Sequence, residues 1–129
     1  MSDRYTKKKS RLPESYVSFI EASDGWEGDL GDYYGYVVIW DKAKIQEYWD
    51  SYEMVKYLPD YWFPFGSNGG GDMLCFNLKT KGDASFLIPF IPMCEQDAME
   101  HCVSFELIAT EIAQRSNADE AAKAEGDMG

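Results

Sequence analysis

Four short apolar runs, separated from one another by turn-forming residues, constrain the fold of this chain most. They span residues 34–40, 62–65, 73–78 and 85–90, and each is rich in β-branched or aromatic residues at strand length. Pro64 has no backbone N–H, so the second run is predicted to be a sheet edge or a very short strand. Residues 79–83 are predicted to form a hairpin turn. The middle of the chain therefore predicts a β-sheet.

Helical patterns lie before, between and after these runs. Leu12 and Pro13 precede an apolar stripe at helical spacing, Asp41 is a good N-cap for a second helix, and Ser104 can cap a third. The stripes of the three helices comprise Tyr16, Phe19 and Ile20, then Ile45, Tyr48, Trp49 and Tyr52, and finally Phe105, Ile108 and Ile112. We predict an α+β fold in which a central, mostly antiparallel sheet packs against N-terminal, middle and C-terminal helices.

The length of 129 residues fits one domain. Residues 1–11 carry five Lys or Arg against Asp3 and are predicted to be a basic N-terminal arm. Residues 12–115 are predicted to form the single domain. Residues 116–129, which are acidic and have Met128 as their one large apolar side chain, are predicted to be a flexible tail.

The overall charge and the cysteine pattern restrict the class of partner and the compartment. With 12 Lys and Arg against 23 Asp and Glu, the formal net charge is −11, which opposes direct binding to nucleic acid or to anionic lipid. No apolar stretch is long enough to span a membrane, and no apolar segment follows the basic start as in a secretory signal. The three cysteines share no metal-type or redox-type spacing and suit reduced thiols. These features predict a cytoplasmic protein.

An acidic stretch stands out between the first helix and the first strand. It has five carboxylates in twelve residues without Lys or Arg, interleaved with glycines, and is predicted to be an anionic loop: Glu21, Asp24, Glu27, Asp29 and Asp32. Such a stretch either keeps an acidic protein soluble or forms a docking face for a cationic partner. The spacing of a calcium-binding loop is absent.

Motifs for catalysis are weak, and we assign no catalytic residue, no metal site and no cofactor. His101 is the single histidine and belongs to no recognisable triad. The glycine-rich stretch that ends at Asp72 lacks the Lys of a phosphate-binding loop and brings negative charge instead. We expect it to form a tight reversal in which Asn68 and Asp72 bond the backbone of the turn. Gly70→Val is predicted to destabilise the fold if Gly70 has a positive φ.

The order of these segments resembles the SUKH superfamily over residues 12–114. The resemblance rests on Leu12 and Pro13, on Ile39 and Trp40 before a capped helix, on Ser104 and Phe105 at the last helix, and above all on the F-G-S-N-G-G-G-D stretch before an apolar strand. The residues assigned to this structural motif are Leu12, Pro13, Phe65, Gly66, Gly69, Gly70, Gly71 and Asp72. The resemblance implies a sheet packed against helices, no catalytic activity, and a role in binding other proteins.

Bacterial members of that superfamily resemble immunity proteins that neutralise polymorphic or contact-dependent toxins, often nucleases, and fungal members resemble cell-wall assembly regulators. We therefore expect an immunity protein that binds a cognate toxin, a basic nuclease domain, and blocks its substrate groove. The expected contact residues are Trp26, Glu27, Asp29, Asp32, Tyr33 and Tyr34. Core packing is the alternative role for these aromatic residues. The alternative function is a regulatory or scaffolding module, and an enzyme would need a concave pocket with converging acids.

Overall fold

The computed structural model describes residues 3–80 and 82–115. These residues form four α-helices, namely α1 (Arg4–Lys8), α2 (Glu14–Ser23), α3 (Lys42–Ser51) and α4 (residues 105–115). They also form six strands, β1 (Trp26–Asp29), β2 (Tyr36–Ile39), β3 (Trp62–Ser67), β4 (Asp72–Asn77), β5 (Ser85–Pro89) and β6 (Met99–Cys102). Short 3-10 turns cover Lys9–Arg11, Met54–Lys56 and Glu95–Asp97.

The six strands form one antiparallel sheet in the order β1-β2-β3-β4-β5-β6. Each strand pairs with the next strand along the chain, so short turns suffice to connect most of them. The central strands β3 and β4 are buried on both faces, whereas β1 alternates between half-buried and exposed residues. The predicted α+β class with an antiparallel sheet and flanking helices is confirmed.

The core forms around Tyr16 of α2, which is fully buried. Its ring makes edge or tilted contacts with Phe65, Phe76 and Phe105 at centroid distances of 5.3, 5.1 and 5.4 Å. Phe65 and Phe76 stack on each other at 4.2 Å. Aromatic pairs of this kind stabilise a core beyond the burial of their area, and here they join α2 and α4 to the central strands.

The predicted N-caps are confirmed. The Asp41 carboxylate accepts a hydrogen bond from the Lys44 N–H at 2.8 Å, and the Ser104 hydroxyl accepts one from the Glu106 N–H at 3.2 Å. Each satisfies a backbone donor that the first turn of a helix leaves without an intrahelical partner.

Two sequence predictions about the sheet were wrong, and one further strand was missed. The acidic stretch is not a single loop, because Trp26–Asp29 pairs with β2 as a strand. Residues 62–65 belong to β3, an interior strand of six residues, and not to an edge. Pro64 is tolerated there because β2 pairs only with Gly66 and Ser67, beyond a register shift in β3. Strand β6 was not predicted.

Residues 4–11, which the sequence sets apart as a basic arm, pack against the rest of the fold. Tyr5 is 2% exposed and Arg4 is 6% exposed. The Arg4 guanidinium lies 3.5 Å from the centroid of the Trp49 ring and donates hydrogen bonds to the carbonyl oxygens of Asp60 and Trp62. The predicted tail, residues 116–129, and Lys81 of the predicted hairpin turn lie outside the described residues.

None of the helices in the described part of the chain is both long and apolar enough to cross a membrane.

Candidate binding surface

The predicted contact residues of strand β1 lie on two opposite faces of the sheet. Its register pairs Glu27 with Val38 and Asp29 with Tyr36. Since cross-strand partners point to the same face of a sheet, Glu27, Asp29 and Tyr36 share one face, and all three are exposed. Trp26 points to the opposite face, where it packs against the core.

The Trp26 ring lies over Gly28, the next residue on the same face of β1, because glycine has no side chain there. A Cβ atom at Gly28 would lie 2.6 Å from the tip of the Trp26 ring, so the ring occupies the space that a side chain would fill. The structure therefore does not bring Trp26 together with the exposed acids of the hairpin. Of the two roles that the sequence left open for this aromatic residue, its position matches core packing.

Tyr36 is a residue of this face that the sequence analysis missed. Its hydroxyl donates a hydrogen bond to the Glu27 carboxylate, and this bond is the main reason that the pKa of Tyr36 is raised. The ring is 41% exposed and lies against Gly69 of the glycine-rich turn. Alternation along the strand would have identified Tyr36 only if the pairing with β1 had been predicted.

The turn between β1 and β2 exposes one of the two predicted tyrosines and half-buries the other. Tyr33 is 81% exposed, while Tyr34 packs partly against the core and meets the Tyr33 ring edge-on at 4.8 Å. The backbone of the turn is held by Asp29, whose carboxylate accepts a hydrogen bond from the Gly31 N–H at 2.8 Å. Asp32 is exposed beside them.

The five carboxylates of the acidic stretch divide into two groups with different roles. Glu21 accepts a hydrogen bond from the Tyr5 hydroxyl at 2.9 Å and pairs with Lys9 and Lys42 at 2.8 and 3.3 Å. The hydrogen bonds from Lys9, Tyr5 and Lys42 lower the pKa of Glu21 to about 2. Asp24 accepts a hydrogen bond from the Lys42 N–H at 3.0 Å. These two acids therefore connect α2 to neighbouring elements.

The other three carboxylates, Glu27, Asp29 and Asp32, form no ion pair with any residue of 3–80 or 82–115. The Arg115 guanidinium lies beside Gly31, yet it pairs with none of them. We define the acidic hairpin surface as Glu27, Asp29, Asp32, Tyr33 and Tyr36. It combines three carboxylates that form no ion pair with the described residues with two exposed aromatic rings.

Two glycines, Gly66 in β3 and Gly69 in the turn that follows it, allow close contacts with β2. A Cβ atom at Gly66 would lie 2.0 Å from the Val38 carbonyl oxygen, a distance that no side chain tolerates. Gly69 has a φ of +77°, and a Cβ atom there would lie 2.5 Å from the Tyr36 ring. Gly66 thus permits the pairing of β2 with β3, and Gly69 permits the position of Tyr36.

The rest of the turn is held by its own polar groups, as predicted for Asn68. The Asn68 side-chain oxygen accepts hydrogen bonds from the N–H groups of Gly70 and Asp72 at 3.0 and 3.3 Å. The Asp72 carboxylate instead accepts a hydrogen bond from the Asn68 side-chain amide at 3.1 Å. Gly70 does not have a positive φ, so the condition attached to Gly70→Val is not met. Gly71 is exposed, with no atom near its Cβ position.

The remaining residues of the predicted structural motif lie where α2 meets the sheet. Leu12 is 7% exposed and Phe65 is fully buried. Pro13 occupies the N-cap position of α2, where its missing N–H costs no hydrogen bond. These residues hold α2 against β3.

Groups that are capable of acid–base or metal chemistry have structural partners. His101 donates from Nε2 to the Tyr34 carbonyl oxygen at 3.1 Å, and its Nδ1 lies 3.1 Å from the Ser85 hydroxyl. Burial raises the pKa of the Cys75 thiol. Within the described ranges, no three His, Cys, Asp or Glu residues are arranged to hold a metal ion.

An open groove of about 980 Å³ lies between α2, α4 and the turn that follows β4. One carboxylate in it, Asp83, accepts hydrogen bonds from the hydroxyls of Ser15 and Ser104 at 2.8 and 2.9 Å and from the Glu106 N–H at 3.2 Å. Burial alone would raise the pKa of Asp83, but these hydrogen bonds outweigh burial and lower it. Asp83 therefore fixes the start of α4 against α2.

Comparison with known proteins identifies the family of this domain. No significant match was found among curated proteins. The model of the SMI1 / KNR4 family (SUKH-1) matches residues 6–106, which include the hairpin, the glycine-rich turn and all six strands. This match covers most of the chain, and the chain therefore belongs to the SMI1 / KNR4 family (SUKH-1).

Proposed function

We propose that this chain is a non-catalytic immunity protein that neutralises a cognate toxin by binding it through the acidic hairpin surface. The toxin of this proposal is a basic nuclease domain of a polymorphic or contact-dependent toxin system. One observation carries the proposal: Glu27, Asp29 and Asp32 are exposed and form no ion pair with the described residues, and exposed tyrosines lie beside them.

The chemistry of a nuclease explains why such a surface would recognise it. A nuclease groove is cationic because it holds phosphate groups, and an acidic protein surface attracts the same groove at long range. Tyrosine rings provide a large contact area at low entropic cost and are enriched among the residues that dominate binding energy. In this proposal, the carboxylates replace the phosphates of the substrate and Tyr33 and Tyr36 supply the apolar contact.

The predicted contact residues have unequal roles in the proposal. Glu27, Asp29, Asp32 and Tyr33 contact the toxin, together with Tyr36. Trp26 and Tyr34 hold the hairpin in place from its inner side, since both pack partly against the core.

We place the encounter with the toxin in the cytoplasm. The three cysteines, Cys75, Cys94 and Cys102, form no disulfide, which supports a reducing compartment.

The test first identifies the genes next to the gene of this chain, and then produces any nuclease domain that they encode in cells with and without the chain. The double variant Glu27→Lys/Asp32→Lys should abolish protection of the cells, because it places four units of charge change on the hairpin. Asp29 is left unchanged because its carboxylate holds the turn. The matched control, Glu47→Lys/Asp97→Lys, makes the same charge change at exposed positions of α3 and of the 3-10 turn Glu95–Asp97 and should protect as well as the unmodified chain.

Protection by the hairpin variant equal to that by the control would remove the acidic hairpin surface from the account. An isolated gene with no toxin beside it, or a nuclease that the unmodified chain fails to neutralise, would contradict the immunity role. Either result would favour the alternative from the sequence analysis, a regulatory or scaffolding module.

A further inference from the structure

Strand β1 is an edge of the sheet that residues 3–80 and 82–115 form, and one of its two sides has no strand neighbour among them. The sheet order places β1 first, with β2 as its pairing partner. An edge strand presents backbone N–H and C=O groups that can pair with an extended segment of another chain. Which residues present those groups follows from the register.

The direction of the backbone groups can be fixed from both ends of the hairpin. The Leu30 N–H donates to the Gly35 carbonyl at 2.9 Å, so the backbone groups of Leu30 point toward β2. The Trp40 N–H donates to the Phe65 carbonyl at 2.9 Å, so the backbone groups of Trp40 point toward β3. The backbone groups of Ile39, the preceding residue, therefore point toward β1. Backbone groups of successive residues point to alternate sides of a strand.

The hydrogen bonds of Leu30 and Trp40 assign the same direction to the backbone groups of each β1 residue. Trp26 and Gly28 use their backbone groups in the ladder with β2, and the backbone groups of Glu27 and Asp29 point away from the sheet. Neither Glu27 nor Asp29 forms a backbone hydrogen bond outside that ladder in the described part of the chain. The same two residues therefore offer unpaired backbone groups along the edge and carboxylates on the exposed face.

We propose that the partner binds through an extended segment that adds to β1 as a further strand and carries Lys or Arg at every second position. This proposal rests on the proposed function and specifies the element by which the toxin is recognised. In such a pairing, the side chains opposite Glu27 and Asp29 lie on the same face at close range, where opposite charges stabilise the pair. Backbone hydrogen bonds supply affinity, and the alternating charges supply specificity.

A second copy of this chain does not fit the same edge. Two β1 strands paired antiparallel about Gly28 would place Glu27 of each copy opposite Asp29 of the other. Like charges directly opposite each other destabilise a strand pair. The acidic residues thus exclude self-association at this edge and select a cationic strand.

The experiment separates the backbone contribution from the charge. Glu27→Pro removes the outward N–H without removing a ladder hydrogen bond, and Glu27→Ala removes the same carboxylate while keeping that N–H. The probe is a capped hexapeptide of alternating Lys and Val, titrated into the labelled protein and followed by NMR. A capped peptide of the same composition, with three Lys followed by three Val, is the control for charge alone.

We expect the alternating peptide to shift and protect the amides of Glu27 and Asp29. We also expect Glu27→Pro to bind it about three- to tenfold more weakly than Glu27→Ala, the effect of losing about one hydrogen bond. Equal affinity of the two variants, equal binding of the two peptides, or a concentration-dependent dimer through β1 would overturn the proposal.

The same amides also separate this proposal from the proposed function. If the nuclease domain is neutralised but the amides of Glu27 and Asp29 stay unprotected in the complex, strand addition is wrong and the immunity role stands. If the alternating peptide protects them but no toxin is neutralised, the recognition mode stands and the immunity role is wrong.

Discussion

Gly66→Ala should destabilise the fold by forcing β2 away from β3. A Cβ atom at position 66 would lie 2.0 Å from the carbonyl oxygen and 3.1 Å from the carbonyl carbon of Val38, whereas real Cβ contacts essentially never fall below 3.0 Å. Both atoms belong to backbone, so no side-chain rotation relieves the clash. Either β2 moves away from β3 by about 1 Å, or the fold keeps the clash at a cost in stability.

The size of the effect follows from those two outcomes. If β2 stays, overpacking costs about 1–3 kcal/mol. If β2 moves, the short β2–β3 ladder weakens, including the hydrogen bond from the Trp40 N–H to the Phe65 carbonyl at 2.9 Å. Each such bond contributes about 1 kcal/mol. We therefore expect a loss of about 2–3 kcal/mol, or a decrease in Tm of about 6–12 °C for a domain of this size.

Urea denaturation followed by tryptophan fluorescence measures this loss, and a thermal melt checks it. Gly71→Ala, in the turn that follows β3, is the control, because no atom lies within 4 Å of the Cβ position of Gly71 and Gly71 does not have a positive φ. It should leave stability unchanged or raise it by less than about 1 kcal/mol. Equal midpoints for the two variants would refute the assignment of Gly66 to close strand packing.

Two further substitutions test how the N-terminal region is attached. Arg4→Lys should lower the free energy of unfolding by about 2 kcal/mol, because a lysine cannot reproduce both the stacking on Trp49 and the forked hydrogen bonds; an unchanged urea midpoint would mean that these guanidinium contacts add no stability. Glu21 has a pKa of about 2 in the fold against an ordinary value of 4.5, so its contribution is present above pH 4.5 and is lost as the pH falls toward 2. In Glu21→Gln, the free energy of unfolding should therefore decrease less between pH 4.5 and pH 2 than in the unmodified chain. The same decrease in both proteins would contradict the role of the Lys9 and Lys42 contacts.

The fold was largely predictable because its local signals agree with its tertiary contacts. Asp41 and Ser104 cap the helices that they precede, and the apolar runs at 73–78 and 85–90 became β4 and β5. β1 was not predictable in the same way. Its sequence, Trp-Glu-Gly-Asp, has no β-branched residue, and it is a strand because β2 supplies its hydrogen-bond partners.

The candidate site was predictable in composition but not in arrangement. The sequence pointed to the acidic stretch, yet two of its five carboxylates, Glu21 and Asp24, bind α1, the 3-10 turn that follows it, and α3. Contacts between residues far apart in sequence decide that division, and no local pattern encodes them. Tyr36 was missed for a related reason, since its place beside Glu27 depends on the register of a strand that was not predicted.

Calorimetric titration measures whether the acidic hairpin surface recognises a cationic protein. A nuclease domain that a neighbouring gene encodes is titrated with the unmodified chain, with Glu27→Lys/Asp32→Lys and with Glu47→Lys/Asp97→Lys, each at about 0.05 and 0.5 M salt. We predict that the hairpin variant binds at least about tenfold more weakly than the control at low salt, and that added salt narrows this difference by screening. Equal affinities for the three proteins at both salt concentrations would show that the acidic hairpin surface does not bind the nuclease domain.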